Sequence, residues 1–240
     1  MAPKISIIVP AHNEEGSINK CIGPIMSACK YLDYEIVLVD DCSKDSTPQI
    51  VDRMAKKYKR VRAVHRKFPN GFGRAIKSGL EASKGKIIIP VMADLSDDPK
   101  TIPKLVEAVE DGYDIAIGSR FVPGGKLVDY PKFKYIAHRL YSIVVGIVFM
   151  RNIKDFSNAF KAYNSDVLKG FEINSEGFEI TSEMILKPIA IHNAKVIEIP
   201  TTWKNRKKGK AKFTGLYKQG WRYGRVLIKC LSMKVLNRTN

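Results

Sequence analysis

The 240-residue sequence predicts an α/β fold in which a mostly parallel sheet is flanked by helices. Short apolar, β-branched runs alternate with longer amphipathic segments through the first half of the chain. The run Lys86–Val91 is apolar without alternation after its first residue, which is typical of a parallel strand buried on both faces. Polar loops follow the strand-like runs, as βαβ units require.

Strands and helices alternate along the first half. The predicted strands are Lys4–Val9, Tyr34–Val39, Val61–His65, Lys86–Val91 and Tyr113–Ile117. The predicted helices are Gly16–Tyr31, a helix opened by Ser43–Thr47 that ends near Tyr58, Ala75–Ser83 and Thr101–Glu110. Pro90 suits a sheet edge, a bulge or an early strand end, because proline cannot donate to the hydrogen-bond ladder of a central strand.

The second half is less regular. Asp155–Tyr163 is predicted to be a loop that leads into a strand. The remaining predictions are a helix over Phe133–Met150, a helix over Glu179–Ala190 whose end Pro188 disturbs, a strand over Ala194–Pro200, a basic loop over Trp203–Phe213 and a basic amphipathic helix over Thr214–Leu236.

The chain is strongly basic, with a formal net charge of +17. Twelve of its 41 lysines and arginines lie between Lys204 and Asn240, where there is no acidic residue. The excess indicates an anionic partner: nucleic acid, a membrane surface or a phosphorylated substrate. No nucleic-acid motif is present in the α/β body, so nucleic acid ranks last.

The basic tail has the composition of an interfacial helix, with an apolar face bordered by cations. That face consists of Trp221, Tyr223, Val226, Leu227, Cys230 and Leu231. A helix docked on the body that happens to be basic is the alternative. The composition favours binding to a membrane surface.

Cysteine usage and hydropathy favour a cytosolic chain. Cys21, Cys29, Cys42 and Cys230 show neither metal nor disulfide spacing. The N-terminus lacks a signal-peptide pattern, and the longest apolar stretch, Leu140–Met150, is shorter than the ~20 residues that span a bilayer. We therefore expect a cytoplasmic protein without transmembrane helices that associates peripherally with the cytoplasmic membrane face.

An acidic cluster follows the apolar strand that contains Pro90. In open α/β sheets ligands bind at the carboxyl ends of strands, and Asp94 is expected there. Its carboxylate could bind a hard cation such as Mg²⁺ or Mn²⁺. Capping of the next helix is the alternative, and it suits Asp97 or Asp98 better than Asp94, which lies farther upstream.

Other loops that follow parallel strands should meet this cluster at one rim of the sheet. These loops are Pro10–Glu14, Asp40–Ser43 and Gly71–Arg74. Asp40 and Asp41 could hydrogen-bond a ribose or a base, and a turn stabilised by their side chains explains them equally well. Gly71-Phe72-Gly73 is not a dinucleotide fingerprint, so its spacing alone favours tight-turn glycines.

Five segments in order resemble glycosyltransferase family 2, and within it the dolichyl- and polyprenyl-phosphate mannosyl or glucosyl transferases. They are Ile-Ile-Val-Pro-Ala-His-Asn-Glu-Glu (7–15), Val-Asp-Asp-Cys-Ser-Lys-Asp-Ser-Thr (39–47), Gly-Phe-Gly-Arg-Ala (71–75), Ala-Asp-Leu-Ser-Asp-Asp-Pro (93–99) and Gly-Ser-Arg-Phe (118–121). The resemblance implies a GT-A fold with a Rossmann-like sheet, a nucleotide-sugar donor, a divalent cation and inversion at the sugar carbon. It also implies a nucleotide-sugar half (1–125), an acceptor half (126–213) and a basic C-terminal segment (214–240).

The resemblance assigns roles by position. The implied substrate-binding residues are Pro10, His12, Glu14, Asp40, Asp41, Gly71, Arg74, Ala93, Arg206, Lys210 and Lys212. Asp94 would bind the metal that bridges the donor diphosphate, and Arg120 would handle phosphate or acceptor charge. Asp155 lies in a segment that resembles the acceptor side; a direct catalytic role and structural hydrogen bonding both remain open for it.

The chain departs from the family pattern at three positions. His12 replaces a tyrosine, and Ser96 stands where some relatives have a glutamine that contacts the metal. Met92 replaces the first acid of the usual Asp-x-Asp, and a thioether is a poor ligand for Mg²⁺. Asp94 could suffice with donor phosphates and waters, since Mg²⁺ keeps several waters; metal affinity is left open.

The expected reaction moves a hexose from GDP-mannose or UDP-glucose to a polyprenyl or dolichyl phosphate. A lipid phosphate is already anionic and needs no strong base. Transfer to a saccharide hydroxyl is the alternative, and it requires a base for which Asp155, Glu179 and Glu183 are candidates. A module that binds a nucleotide sugar or a membrane without catalysis is the third possibility.

Overall fold

The computed structural model describes residues 3–205 and 216–239. The strands are β1 (Ile5–Ala11), β2 (Tyr34–Asp41), β3 (Val61–Arg66), β4 (Ile87–Pro90), β5 (Ile115–Ser119), β6 (Lys126–Val128), β7 (Lys161–Asn164), β8 (Val196–Pro200) and β9 (Thr202–Lys204). The helices are α1 (Ile18–Ala28), α2 (Thr47–Lys57), α3 (Phe72–Ala82), α4 (Ile102–Glu110), α5 (Lys132–Phe149), α6 (Ile180–His192) and α7 (Leu216–Thr239). Strands and helices alternate through β5, which confirms the predicted α/β class.

The main sheet has seven strands in the order β3-β2-β1-β4-β7-β5-β8. Every neighbouring pair is parallel except the two pairs made by β7, which runs antiparallel to β4 and β5. The mostly parallel sheet is therefore confirmed. Strands β6 and β9 form a separate parallel pair beside it.

Apolar residues bury both faces of the main sheet. In β1, Ile7 belongs to a core cluster that includes the inner faces of α1, α2 and α4. The next residue, Ile8, belongs to a second cluster formed with α3, α5, α6 and α7. Successive side chains of a strand point to opposite faces, so the helices lie in two layers on either side of the sheet.

Strand β4 lies in the centre of the sheet and ends at Pro90. It pairs with β1 and β7, so the proline marks an early strand end and neither an edge nor a bulge. The N–H of Val91 still donates to the Ile8 carbonyl (2.8 Å). The acidic cluster therefore begins directly at the carboxyl end of a central strand.

Several boundaries differ from the sequence prediction, and three of the differences have a clear physical cause. Helix α3 begins at Phe72 rather than Ala75, because Gly73 lets the first turn lie against the chain at Glu176. Strand β5 begins at Ile115 rather than Tyr113, whose N–H instead bonds the Ala108 carbonyl at the end of α4 (3.2 Å). Trp203, predicted in a loop, lies in β9 opposite β6, a pairing too short to show as a strand pattern.

No helix among residues 3–205 and 216–239 is both long and apolar enough to cross a bilayer. The longest apolar segment of the sequence, Leu140–Met150, forms the C-terminal half of α5 and its cap. That helix packs on the body through Ser142, Val145 and Phe149.

Candidate active site

A cavity of about 380 Å³ lies at the carboxyl ends of the central parallel strands. The predicted site residues that line it are Pro10, His12, Glu14, Asp41, Gly71, Asp94 and Arg120. They come from loops that are far apart in sequence, as the convergence of parallel strand ends on one rim predicts.

Asp41 holds the glycine loop at the cavity. Its carboxylate accepts the N–H of Gly71 (2.7 Å) and is paired with the guanidinium of Arg66. Both bonds keep the first helical turn of α3 next to the end of β2. Asp41 is buried from solvent but lines the cavity, so a ligand in the cavity could contact it.

The loop after β1 is fixed by bonds to the loop after β2. The His12 ring donates from Nδ1 to the Asp41 carbonyl (2.7 Å). Glu14 donates its N–H to the Thr47 hydroxyl (2.9 Å), and its carboxylate accepts the Ser17 hydroxyl (2.5 Å). These bonds hold an imidazole and a carboxylate at the cavity wall.

The start of α3 is joined to the segment before α6. The N–H of Gly73 donates to the Glu176 carbonyl (2.9 Å), and Phe72 stacks on Phe178 with ring centroids 4.5 Å apart. Arg74 pairs with Glu176 (2.5 Å). The cavity wall formed by Gly71 and Phe72 is therefore continuous with the wall formed by Phe178.

The acidic cluster divides into three roles. Asp98 accepts the Lys100 N–H (3.0 Å) and caps a short 3₁₀ helix, which confirms the capping alternative for this residue. Asp94 lines the cavity and accepts the Ser96 N–H (3.0 Å). Asp97, an expected capping residue, is instead buried at the cavity wall, where its carboxylate accepts the Asn158 amide (3.1 Å) and burial raises its pKa to about 7.

Asp94 and Met92 both line the cavity where the resemblance implies a divalent cation. The described residues contain no group of three or more histidine, cysteine or acidic side chains that could hold a metal. Mg²⁺ and Mn²⁺ commonly bind through one or two carboxylates together with substrate phosphates. The residues therefore fit a cation held jointly by Asp94 and a donor diphosphate, and they do not fit a cation held by the protein alone.

Arg120 is held in the cavity wall by several hydrogen bonds. Its Nε and one terminal nitrogen donate to the two carboxylate oxygens of Asp155 (2.8 and 2.7 Å), and its backbone N–H donates to the same carboxylate (3.1 Å). Burial alone would raise the pKa of Asp155, but the Arg120 charge lowers it below its ordinary value. Asp155 is fully buried behind Arg120, so this geometry favours the structural role that the sequence left open.

The segment that carries Asp155 is anchored by a buried lysine. Lys161 donates from Nζ to the carbonyls of Phe156 (3.0 Å), Asn158 and Thr181 (3.2 Å). Burial lowers the pKa of this ammonium to about 7. The loop bonded by Lys161 supplies the Asn158 amide for Asp97 and the Asp155 carboxylate for Arg120.

The opposite wall is formed by the start of α5 and by aromatic side chains. Lys134 and His138 line the cavity one turn apart, together with Tyr130 and Trp203, whose rings meet edge to face at 4.8 Å. The His138 Nδ1 lies 2.6 Å from the Ser157 hydroxyl. Burial, followed by the Arg120 charge, lowers the pKa of His138 to about 4, so its ring is neutral at physiological pH.

Several predicted site residues lie away from the cavity. Asp40 accepts the Ser43 N–H (3.2 Å) and faces His65, because it closes the turn after β2. Arg74 is held by Glu176, and Ala93 is packed in the core beneath Asp94. The predicted basic-loop residues Arg206, Lys210 and Lys212 lie outside the described residues.

The two other candidate bases are also held by structural contacts. Glu183 pairs with Lys187 (2.5 Å) and accepts the Ser175 N–H (2.7 Å). Glu179 accepts the Gly177 N–H (3.1 Å) ahead of α6. Neither carboxylate, nor that of Asp155, lines the cavity.

The family model for glycosyl transferase family 2 matches residues 6–171 of the chain. This span covers more than half of the chain and contains the cavity-lining loops that follow β1, β2 and β4. The chain belongs to glycosyl transferase family 2.

Two curated relatives of this family 2 chain are named after transfer to a lipid phosphate. It is 36% identical over 215 residues to a dolichol-phosphate mannosyltransferase of Pyrococcus furiosus, covering 88% of the chain and 60% of that relative. It is 29% identical over 218 residues to an undecaprenyl-phosphate mannosyltransferase of Micrococcus luteus, covering 88% of each chain.

Solved structures identify the fold as GT-A. Glucosyl-3-phosphoglycerate synthase from Mycobacterium tuberculosis, solved with Mn²⁺, UDP and phosphoglyceric acid, superimposes with a TM-score of 0.70 at 18% identity, covering 97% of this chain and 78% of that one. This similarity concerns the fold, and it agrees with the GT-A prediction made for the family 2 chain from its motifs.

The sequence did not identify part of the site. The lining residues that the sequence did not assign to the site include Asp97, Tyr130, Lys134, His138, Ser157, Asn158, Phe178, Trp203 and Tyr223. Most come from the second half, where no regular alternation of strands and helices predicts which loops converge. The clearest sequence signal for these residues is the pair Lys134 and His138, which are four residues apart near the start of α5 and therefore lie on one side of it.

Proposed function

We propose that this chain is an inverting hexosyltransferase that moves a sugar from a nucleotide sugar to a polyprenyl or dolichyl phosphate. One observation carries the proposal. A single cavity joins the loops of the family motifs, including Asp41, Gly71 and Asp94, to a cationic wall formed by Arg120 and Lys134. The names of the relatives favour mannose as the sugar and a lipid phosphate as the acceptor.

The donor would lie along the strand ends. His12, Asp41 and Gly71 would contact the nucleoside, and Asp94 would share a divalent cation with the diphosphate. When bound, the cation would neutralise the charge that grows on the leaving nucleoside diphosphate. GDP-mannose and UDP-glucose both remain candidate donors.

The acceptor side would hold an anion. Arg120 cannot lose its charge at any ordinary pH, since Asp155 holds its pKa above the usual value against the effect of burial. Lys134 lies on the same wall. These side chains would orient a lipid phosphate for attack, and because that phosphate is already ionised, no protein base is required.

Transfer to a saccharide hydroxyl is less well supported. It needs a base within hydrogen-bond reach of the attacking oxygen. The three candidate bases, Asp155, Glu179 and Glu183, lie off the cavity and are occupied by structural contacts.

We also propose that the chain acts at the cytoplasmic membrane face, where a lipid phosphate would be presented. The basic segment 214–240 supports this through its excess of cations, because Lys and Arg are attracted to anionic lipid.

A direct transfer assay tests the function. Purified chain, Mn²⁺ or Mg²⁺, GDP-mannose or UDP-glucose and a short polyprenyl phosphate should give a glycosylated lipid phosphate detected by mass spectrometry, whereas the matching prenol should give none. Asp94→Ala should abolish transfer and nucleotide-dependent Mn²⁺ binding. Asp98→Ala is the matched control, since Asp98 caps a 3₁₀ helix and should retain transfer. Failure of the wild-type chain with every donor and lipid phosphate would refute the proposal, and nucleotide binding without turnover would favour a non-catalytic module.

A further inference from the structure

We propose that the exposed face of α5 docks on an anionic lipid bilayer. Six large apolar side chains of this helix are exposed in one stripe: Phe133, Ile136, Leu140, Ile143, Val144 and Ile147. Their spacing of three, four, three, one and three residues places them along one side of an α-helix. Ile147 alone is 73% exposed, and exposed stripes of this kind mark interaction surfaces.

The apolar stripe lies on the side of α5 opposite to the side that packs on the body. Ser142, Val145 and Phe149 are the buried residues of the helix, and the last two join the core cluster on that face of the sheet. Packing therefore explains one side of α5 and leaves the apolar stripe unexplained. A solvent-exposed helix side is normally polar.

Cations border the stripe. Lys132 and Arg139 lie on α5, and the helix has no acidic residue. At its end, a groove brings Ile143, Ile147 and Met150 together with Arg151 and Lys154. Apolar side chains bordered by lysine and arginine are the composition of a helix that lies in the headgroup region.

The same charges argue against a second copy of the chain as the occupant. In a two-fold dimer the same patch meets itself, so the bordering cations of both copies would face each other. An anionic bilayer instead offers the opposite charge around an apolar interior. Charge complementarity therefore selects lipid.

Helix α7 adjoins α5 and has a similar character. The Lys234 Nζ donates to the Phe149 carbonyl (2.6 Å), and Tyr223 meets Tyr141 edge to face. Its exposed apolar residues, Trp221, Ile228, Val235 and Leu236, also recur at helical spacing, and α7 too contains no acidic residue. The two helices together provide more cationic surface than either alone.

Docking through α5 would bring the cavity near the membrane, because Lys134 and His138 line the cavity from the side of the same helix that faces away from the stripe. This consequence rests on the proposed function, whereas the docking itself does not. The cationic wall would then lie close to the headgroup region, where the phosphate of a polyprenyl phosphate is presented.

Vesicle sedimentation tests the proposal. Wild-type chain should bind vesicles of phosphatidylglycerol and phosphatidylcholine better than phosphatidylcholine alone, and binding should weaken as NaCl rises from ~0.1 to ~0.5 M. Ile143→Asp/Ile147→Asp should lower the partition coefficient about tenfold or more, because two apolar side chains no longer enter the bilayer. Ile143→Ser/Ile147→Ser should also lower the partition coefficient. Because serine is uncharged, this variant shows the effect of lost insertion without the repulsion between aspartate and anionic lipid. Tyr31→Asp is the matched control: Tyr31 is 89% exposed but lies away from α5, so binding should be unchanged.

Two results would overturn the docking surface. Equal vesicle binding by the wild type and both double variants, each with an unchanged melting temperature, would show that α5 does not contact lipid. Self-association of the wild type that the double variants abolish, without vesicle binding, would identify a second copy as the occupant. Transfer to a short prenyl phosphate without vesicles is the separate test of activity: the double variants should match the wild type there, and a wild type without turnover would count against the proposed function only.

Discussion

Replacing Asp155 by asparagine removes the counter-charge of a buried arginine while nearly preserving the side-chain shape. In the wild type, Asp155 accepts three bonds from Arg120 and one from the Asn158 N–H (3.3 Å), and both charged side chains are buried. Asp155→Asn leaves the guanidinium buried without its partner. Breaking a buried ion pair in this way costs about 3–5 kcal/mol.

That cost is large compared with the ~5–15 kcal/mol that stabilises a typical protein. For a chain of this length each kcal/mol shifts the melting temperature by about 2–4 °C, so Asp155→Asn should melt roughly 6–20 °C lower than the wild type. Transfer should fall as well, because Arg120 loses the carboxylate that orients it in the cavity. The pKa of Asp155 is lowered in the folded state, so its stabilisation is present above its unfolded pKa and is lost as pH falls through the folded value.

Thermal unfolding followed by circular dichroism at neutral and acidic pH measures both effects. The difference between wild type and Asp155→Asn should be largest near pH 7 and should shrink in acid. Asp166→Asn is the matched control, because the Asp166–Lys169 pair is exposed and should leave the melting temperature unchanged. The double variant Arg120→Met/Asp155→Leu should be more stable than Asp155→Asn, since it buries no unpaired charge. An Asp155→Asn chain that melts within about 2 °C of the wild type would refute the reasoning.

Three further predictions follow from the cavity and its supports. Met92→Asp should raise the Mn²⁺ affinity by about tenfold or more, because it adds a carboxylate to the cavity wall that Asp94 also lines. Mn²⁺ EPR with and without a nucleoside diphosphate measures this affinity, and an unchanged affinity contradicts the prediction. Burial raises the pKa of Asp97 from 3.8 to about 7 in the folded state, so the folded state binds more protons between these values and wild-type stability falls as pH rises through them. The melting temperature of Asp97→Asn should therefore rise relative to that of the wild type from pH 5 to pH 8, and a constant difference contradicts this. Gly73→Ala should cost about 1–3 kcal/mol and raise the KM for the donor, because a Cβ would lie 2.7 Å from the Glu176 backbone. Gly23→Ala is the control: its Cβ would meet nothing within 4 Å and alanine is the better helix former inside α1, so the melting temperature should be unchanged or slightly higher.

The first half of the molecule was predictable because its pattern is local. The buried runs of β1, β2 and β4 and the loops after them obey the periodicity and order of βαβ units, and that order alone places Asp41 and Asp94 at one rim. The resemblance to the family motifs then indicated nucleotide binding for Asp41 and metal binding for Asp94. Strand β7 was predicted as a strand, but its antiparallel insertion between β4 and β5 depends on long-range pairing that no local pattern contains.

The cavity wall around Arg120 was less predictable for a physical reason. A sequence does not show which of its charged residues are buried against each other, so the catalytic and the structural role of Asp155 both stayed open. Asp155 could be assigned as a base or as a support only when the position of Arg120 was known. Asp97 was expected to cap a helix, but the Asn158 amide 61 residues away holds it at the cavity wall.

The contacts of Asp155 and Lys161 explain how the Arg120 guanidinium can be buried in the cavity wall without destabilising the fold. Arg120 is neutralised by Asp155, and the loop that carries Asp155 is tied down by Lys161 through three backbone carbonyls. Arg120 therefore has an ion-pair partner and Lys161 has hydrogen-bond acceptors, as buried charged groups require. An incoming anion would meet a guanidinium already fixed in place, so little reorganisation would be needed when it binds. The same arrangement predicts that loss of either Asp155 or Lys161 should displace Arg120, even though neither of them lines the cavity.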